Sequence, residues 1–247
     1  MTFEQRGSAL PAEPAPIPTP QTGTNGGTTP VQLRLQILST EHWSLLASRS
    51  LAWNESFIRA GMYLSTLSGA MVALALVAGL DKTGDAFFLF AIVLLPVVLF
   101  VGIGTLLRLG SANYHDAICV TGMNRIRGAY LEIAPDLLPY FVMSPHDDAA
   151  GINVTMGQPP HLGVWTYIVG ATPFLVTVLN AVIAAAILAI VALRLHAETA
   201  SVLALAVVAF GIVIVLESRY ARSNMELVRA MARPLFPSPP TDERQVH

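Results

Sequence analysis

Four stretches of this chain, Gly61 to Leu80, Ala86 to Leu107, about Tyr167 to Leu193 and about Thr199 to Leu216, are apolar from end to end. Each can cross a hydrocarbon core of about 30 Å as a helix, which takes roughly 17–25 residues. No Asp, Glu, His, Lys or Arg interrupts any of them. A helix buried in a soluble domain is the rival reading for one such stretch, but four in 247 residues leave it no room. Only 12% of the residues are charged, against about a quarter in ordinary soluble domains, so much of the surface faces lipid. The fold class expected is all-α: four transmembrane helices in two hairpins, with helical extensions.

The links Asp81 to Asp85 and Arg194 to Glu198 are so short that each pair of spans forms a tight hairpin. Pro96 and Pro173 fall inside spans and predict bends there. Orientation follows from the basic residues near the span ends. Arg49, Arg59, Arg108, Arg125, Arg127, Arg219, Arg222, Arg229 and Arg233 lie on one side, and Lys82 and Arg194 on the other. That asymmetry puts both termini and the central segment in the cytoplasm. Trp165 and Tyr167 fall at the headgroup level of the third span. Lys82 is the sole lysine, a bias of the kind a GC-rich bacterial genome imposes, so the membrane expected is the bacterial inner membrane.

Outside the spans the pattern is helical. Residues 1–38, rich in Pro, Thr and Gly, hold no apolar run after a basic cluster, so a disordered cytoplasmic tail is expected and not a cleavable signal peptide. Its PAEPAPIPTP run has the composition of a polyproline ligand or of a plain solvated tail. Thr40 is a candidate N-cap, and Trp43, Leu46, Trp53 and Phe57 share one face, so 39–60 reads as an amphipathic interfacial helix. Cys119, Met123, Ile126, Tyr130 and Ile133 continue the second helix until Pro135 ends it. Met225, Val228 and Met231 give Glu217 to Met231 a similar pattern. The units expected are therefore 1–38, 39–60, a first hairpin 61–107, a cytoplasmic segment 108–163, a second hairpin 164–216 and a tail 217–247.

Few residues suggest chemistry. Cys119, the only cysteine, excludes an intrachain disulfide framework and reads as a small buried side chain. Ser144-Pro145-His146-Asp147-Asp148 is the densest set of donors. An imidazole beside two carboxylates suits a divalent metal if His115, Asp116 or His161 completes the set. The same residues make a polar turn, the reading preferred here, so no metal, catalytic or cofactor-binding residue is assigned. Asn54-Glu55-Ser56 and Asn153-Val154-Thr155 match the glycosylation pattern but fall on the cytoplasmic side. Thr172, Thr177 and Asn180 are the polar positions of the third span, suited to helix-to-helix hydrogen bonds or to a substrate path. Gly61, Ser65 and Gly69 repeat every four residues and suggest close helix packing.

The runs TEHWSLLASRSLAWNESFIRAGMYLSTLSGA and MNRIRGAYLEIAPDLLPYFVMSPHDD resemble stretches of a group of uncharacterised bacterial four-span membrane proteins. The resemblance extends over most of the chain after the tail and implies no activity, cofactor or functional residue. A net charge of -2 argues against nucleic acid as a partner. The partners expected are the lipid bilayer, further copies of the chain or other membrane proteins. The absence of common enzyme signatures favours a non-enzymatic membrane scaffold or regulatory protein acting through its cytoplasmic helices. The alternatives are an oligomeric channel or transporter and, third, a metal-dependent membrane enzyme using His146, Asp147 and Asp148.

Overall fold

The computed structural model describes residues 29–80, 84–157, 170–231 and 233–239. They form helix α1 (Pro30–Leu80), α2 (Asp85–Ile133), a short 3-10 helix (Pro135–Tyr140), α3 (Ala149–Thr155), α4 (Thr172–Arg194) and α5 (Thr199–Met231), with no strand among the described residues. Four of these helices, α1, α2, α4 and α5, are long and apolar enough to cross a membrane. The protein is thus an all-α polytopic membrane protein whose outer surface requires lipid. Phe100, 77% exposed in the middle of an apolar run, has no other suitable solvent.

Helix α1 has 51 residues and α2 has 49. At 1.5 Å per residue each is roughly 75 Å long, more than twice the hydrocarbon thickness. Helix α4, with 23 residues, is long enough for one crossing only. The α1–α2 pair therefore extends well past the bilayer at the end that carries Arg108, here termed the arginine-rich end. Helix α2 is the central element, packing on α1, α4 and α5. The apolar core is formed by Tyr63 and Ala70 of α1, Ala91, Leu95, Val98, Leu106 and Leu109 of α2, and Val176 and Ile183 of α4.

Helix boundaries correct several expectations. Helix α1 starts at Pro30, inside the segment expected to be a disordered tail to residue 38; residues 1–28 lie outside the described residues. The cause is a reciprocal cap. Gln32 N–H donates to Thr29 Oγ1 at 3.3 Å and Thr29 N–H to Gln32 Oε1 at 2.9 Å, with Pro30 at the first helical position. Thr40, expected to be an N-cap, is mid-helix, and its hydroxyl donates to the Gln36 carbonyl at 2.8 Å. Residues 39–60 are accordingly continuous with the first span. Helix α2 runs through Pro96 and stops before Pro135, as its periodicity predicts. Pro173 is in the first turn of α4, a position proline favours, and introduces no bend.

The hairpin turn after α4 closes with the Ala197 N–H on the Ala192 carbonyl and the His196 N–H on the Leu193 carbonyl, both at 3.1 Å. His196 takes φ 59°, the left-handed conformation this helix stop requires. Arg194 pairs with Asp85 and lies over the Phe88 ring at 5.3 Å, joining the two hairpins at this end. Both charges of the pair are more than half exposed, so its contribution to stability is small.

Candidate functional site

Among the described residues, polar side chains converge inside the bundle and again beyond its arginine-rich end. In the first constellation, the Tyr63 hydroxyl donates to Asn180 Oδ1 at 2.9 Å and Asn180 Nδ2 donates to Glu217 Oε1 at 3.0 Å. Tyr63 and Asn180 are fully buried. Glu217 falls one residue beyond the apolar run of the fourth span and was expected in the following tail. Its carboxylate instead turns back between the helices, because helical side chains lean toward the N-terminus of their own helix and α5 runs out of the bundle here. Glu217 Oε2 is buried with no hydrogen-bond partner among the described residues. Tyr63 is 17 residues before Leu80, so the seam lies roughly 25 Å from the hairpin end.

Gly102 makes room for the seam. A Cβ there would fall 1.9 Å from Asn180 Oδ1 and 2.9 Å from the Tyr63 ring. By contrast, the Gly61, Ser65 and Gly69 strip makes no close contact with the other described residues. A Cβ at Gly61 or Gly69 would meet no atom of the described residues within 4 Å, and all three residues are exposed. The reason is rotational: α1 buries Ser56, Ala60, Tyr63 and Ala70, and Gly61 stands about 200° around the helix from Tyr63. Replacing Ser65 and Gly69 with Leu should therefore leave the melting of the monomeric protein within about 0.5 kcal/mol of the parent. A clear loss in monodisperse detergent preparations would contradict the outward orientation.

The second constellation surrounds the Ser144 to Asp148 turn. Asn124 of α2, fully buried, donates from Nδ2 to the His146 carbonyl at 2.7 Å. It accepts at Oδ1 from the Thr155 hydroxyl at 2.9 Å and from Arg127 at 2.7 Å, so every polar atom of its amide is engaged. Asp148 caps α3 by accepting from the Gly151 N–H at 2.8 Å. Asp147, completely buried, faces Arg125 Nε at 2.7 Å. Its oxygens also accept from the N–H groups of Leu235 and Phe236, at 2.9 and 2.8 Å. The turn thus clasps the carboxyl-terminal segment.

Burial pushes the Asp147 carboxyl up, but the Leu235 N–H, Arg125 and the Phe236 N–H outweigh it and hold the group below the ordinary aspartate value. For Asp148, burial is likewise outweighed, by the Gly151 N–H, the Ser238 N–H and hydroxyl, and nearby His146. A carboxyl with a lowered folded pKa contributes stability above its unfolded value, near 3.9, and loses it as pH falls through the folded value. The clasp should therefore hold unchanged between about pH 8 and pH 5 and open only below about pH 3.9. Fluorescence anisotropy of a dye at the carboxyl terminus reads this. A drop in anisotropy between pH 7 and 5 would contradict the assignment.

The other donors considered for a metal are kept apart. Asp116 turns to α1, accepting from Arg49 Nε at 2.5 Å and Trp53 Nε1 at 3.0 Å. It is eight residues from Asn124, roughly 12 Å along α2. His115 Nε2 sits 3.6 Å from the buried Cys119 thiol. His161, Trp165 and Tyr167 lie outside the described residues, as do the side chains of Met225, Val228 and Met231. Among the described residues no three His, Cys, Asp or Glu side chains converge as a metal set. Thr177 and Asn180 both join the Glu217 seam, whereas Thr172 is the first residue of α4.

Comparison of the chain with protein-family models, curated proteins and solved structures gave no match. The function must therefore be argued from the geometry. Sequence reasoning missed Glu217, Asn124, Arg125 and Gly128. The available signal was Asn124 at three-, four- and seven-residue steps from Thr121, Val120 and Ala117, a polar residue amid buried neighbours.

Proposed function

We propose that the protein is a non-enzymatic scaffold or regulatory protein of a bacterial inner membrane, with both termini and the arginine-rich helices in the cytoplasm. The observation that supports it is the part of α1 that extends past its apolar span. There α1 packs on α2 through the Arg49–Asp116 pair and through Leu45, whose Cδ1 would be 2.8 Å from a Cβ at Gly122. Away from that contact it carries the exposed Trp43, Leu46, Leu51 and Phe57. Apolar residues repeated along a rigid, outward-facing helix suit a protein partner at the membrane surface.

A channel or transporter is the second reading, favoured by the Glu217 carboxylate inside the bundle, since ionisable groups among transmembrane helices commonly mark ion or proton paths. Two measurements separate the readings. A photoreactive residue at position 43 should give discrete protein adducts in native membranes, and Leu51→Glu should remove them without changing insertion or melting. Purified protein in liposomes should pass ions no faster than empty vesicles. Flux that disappears in Glu217→Gln, with no adducts at position 43, would replace the scaffold by the transporter.

A further inference from the structure

The stretch Pro234-Leu235-Phe236-Pro237-Ser238-Pro239 contains three prolines and hence only three backbone N–H groups. All three are donated to two adjacent carboxylates. Leu235 reaches Asp147 Oδ2 at 2.9 Å, Phe236 reaches Asp147 Oδ1 at 2.8 Å, and Ser238 reaches Asp148 Oδ2 at 2.7 Å. The Ser238 hydroxyl adds a bond to Asp148 Oδ1 at 2.9 Å. Two bonds run the other way: the Asp147 N–H donates to the Phe236 carbonyl at 3.2 Å, and Arg125 Nη2 to the Arg233 carbonyl at 3.1 Å. The Phe236 ring lies on Gly128, where a Cβ would be 2.8 Å from the ring.

This is how a peptide-binding site reads an extended ligand: the main chain by fixed donors and acceptors, one large side chain by a shaped seat. Proline punctuation suits such a ligand, because the free segment has little conformational freedom to lose. We infer that the Asp147–Asp148 turn, Arg125 and Gly128 form a peptide-binding site whose resident ligand is residues 233–239, and that it exchanges this segment for the same segment of a second copy. The chain itself is the source of that chemistry, and exchange of an identical terminal element is a low-cost route to association. Tethering gives the resident segment a high effective concentration, so exchange needs an excess of competitor or crowding in the membrane. The inference is independent of the scaffold reading, since it concerns only what the turn binds.

Hydrogen exchange of the full chain in detergent, with and without a synthetic peptide of residues 233–239, tests this. Excess peptide should speed exchange at Leu235, Phe236 and Ser238 of the protein at least several-fold, while α3 and neighbouring α2 keep their protection because the site stays filled. A peptide with alanine in place of Phe236 should have no effect. Gly128→Val, which fills the aromatic seat, should expose the segment with or without peptide and leave the bundle folded. A photoreactive residue at Leu235 should also cross-link to a differently tagged copy, increasingly so at higher protein density. Protection unmoved by millimolar peptide, or unmoved in Gly128→Val, would make the contact a fixed structural closure and overturn the inference. Displacement with no cross-link between copies would overturn the second copy as donor.

Discussion

Gly102→Ala is expected to destabilise the bundle by about 1–3 kcal/mol, although alanine is the better helix former by up to about 1 kcal/mol. The opposing effect is larger because the new Cβ would fall 1.9 Å from Asn180 Oδ1. That oxygen cannot move aside freely, since it accepts from Tyr63 while the same amide donates to Glu217. Displacing Asn180 breaks two hydrogen bonds, averaging about 0.6 kcal/mol each between membrane helices, and leaves the Glu217 carboxylate to Thr177. Gly104→Ala is the matched control. Two residues further on, it is exposed and a Cβ there would meet no described atom within 4 Å, so it should be neutral or slightly stabilising. Thermal unfolding in one mild detergent compares the two. Equal melting of Gly102→Ala and Gly104→Ala would contradict the seam.

Asp147→Ala should have the largest effect beyond the bundle. Removing one partner of a buried charged pair costs about 3–5 kcal/mol, mostly from the group left behind. Arg125 keeps 36% of its side chain exposed and can turn to water, which places the loss near the lower end, about 3 kcal/mol. Two N–H groups, those of Leu235 and Phe236, lose their acceptors as well. The damage should stay local, because the apolar core of α1, α2 and α4 makes no use of this carboxylate. Hydrogen exchange should report exposure of residues 233–239 and loosening of α3 with the spans unchanged. Asp148→Ala, which removes a helix cap worth about 1 kcal/mol and the Ser238 bonds, should do less. Parent-level protection of the segment in Asp147→Ala would contradict the clasp.

The spans and hairpins were legible in the sequence because length and hydropathy are local properties, and Pro135 marked the end of α2 for the same reason. The start of α1 was legible in principle in Thr29-Pro30-Val31-Gln32, a capping box with proline at the first position, but was obscured by the composition of the segment before it. The polar constellations were not legible. Tyr63 and Asn180 are 117 residues apart, and Asp147 and Leu235 are 88 apart. No spacing rule joins residues at such separations. Glu217 misled for a geometric reason, since a residue just past an apolar run reads as solvated unless the backward lean of its side chain is considered. The Gly61, Ser65 and Gly69 strip faces away from the described helices of its own chain; small residues at four-residue steps define a smooth face without saying what it meets.

The proposed topology, in which the long paired helices of the four-span protein face the cytoplasm, is tested most directly by cysteine accessibility in intact cells. In a Cys119→Ala background, Thr83→Cys should react with a membrane-impermeant maleimide from outside. Gly157→Cys and Glu243→Cys should react only after the membrane is permeabilised. Labelling of Gly157→Cys in intact cells, with Thr83→Cys protected, would invert the protein in the membrane and remove the cytoplasmic scaffold with it.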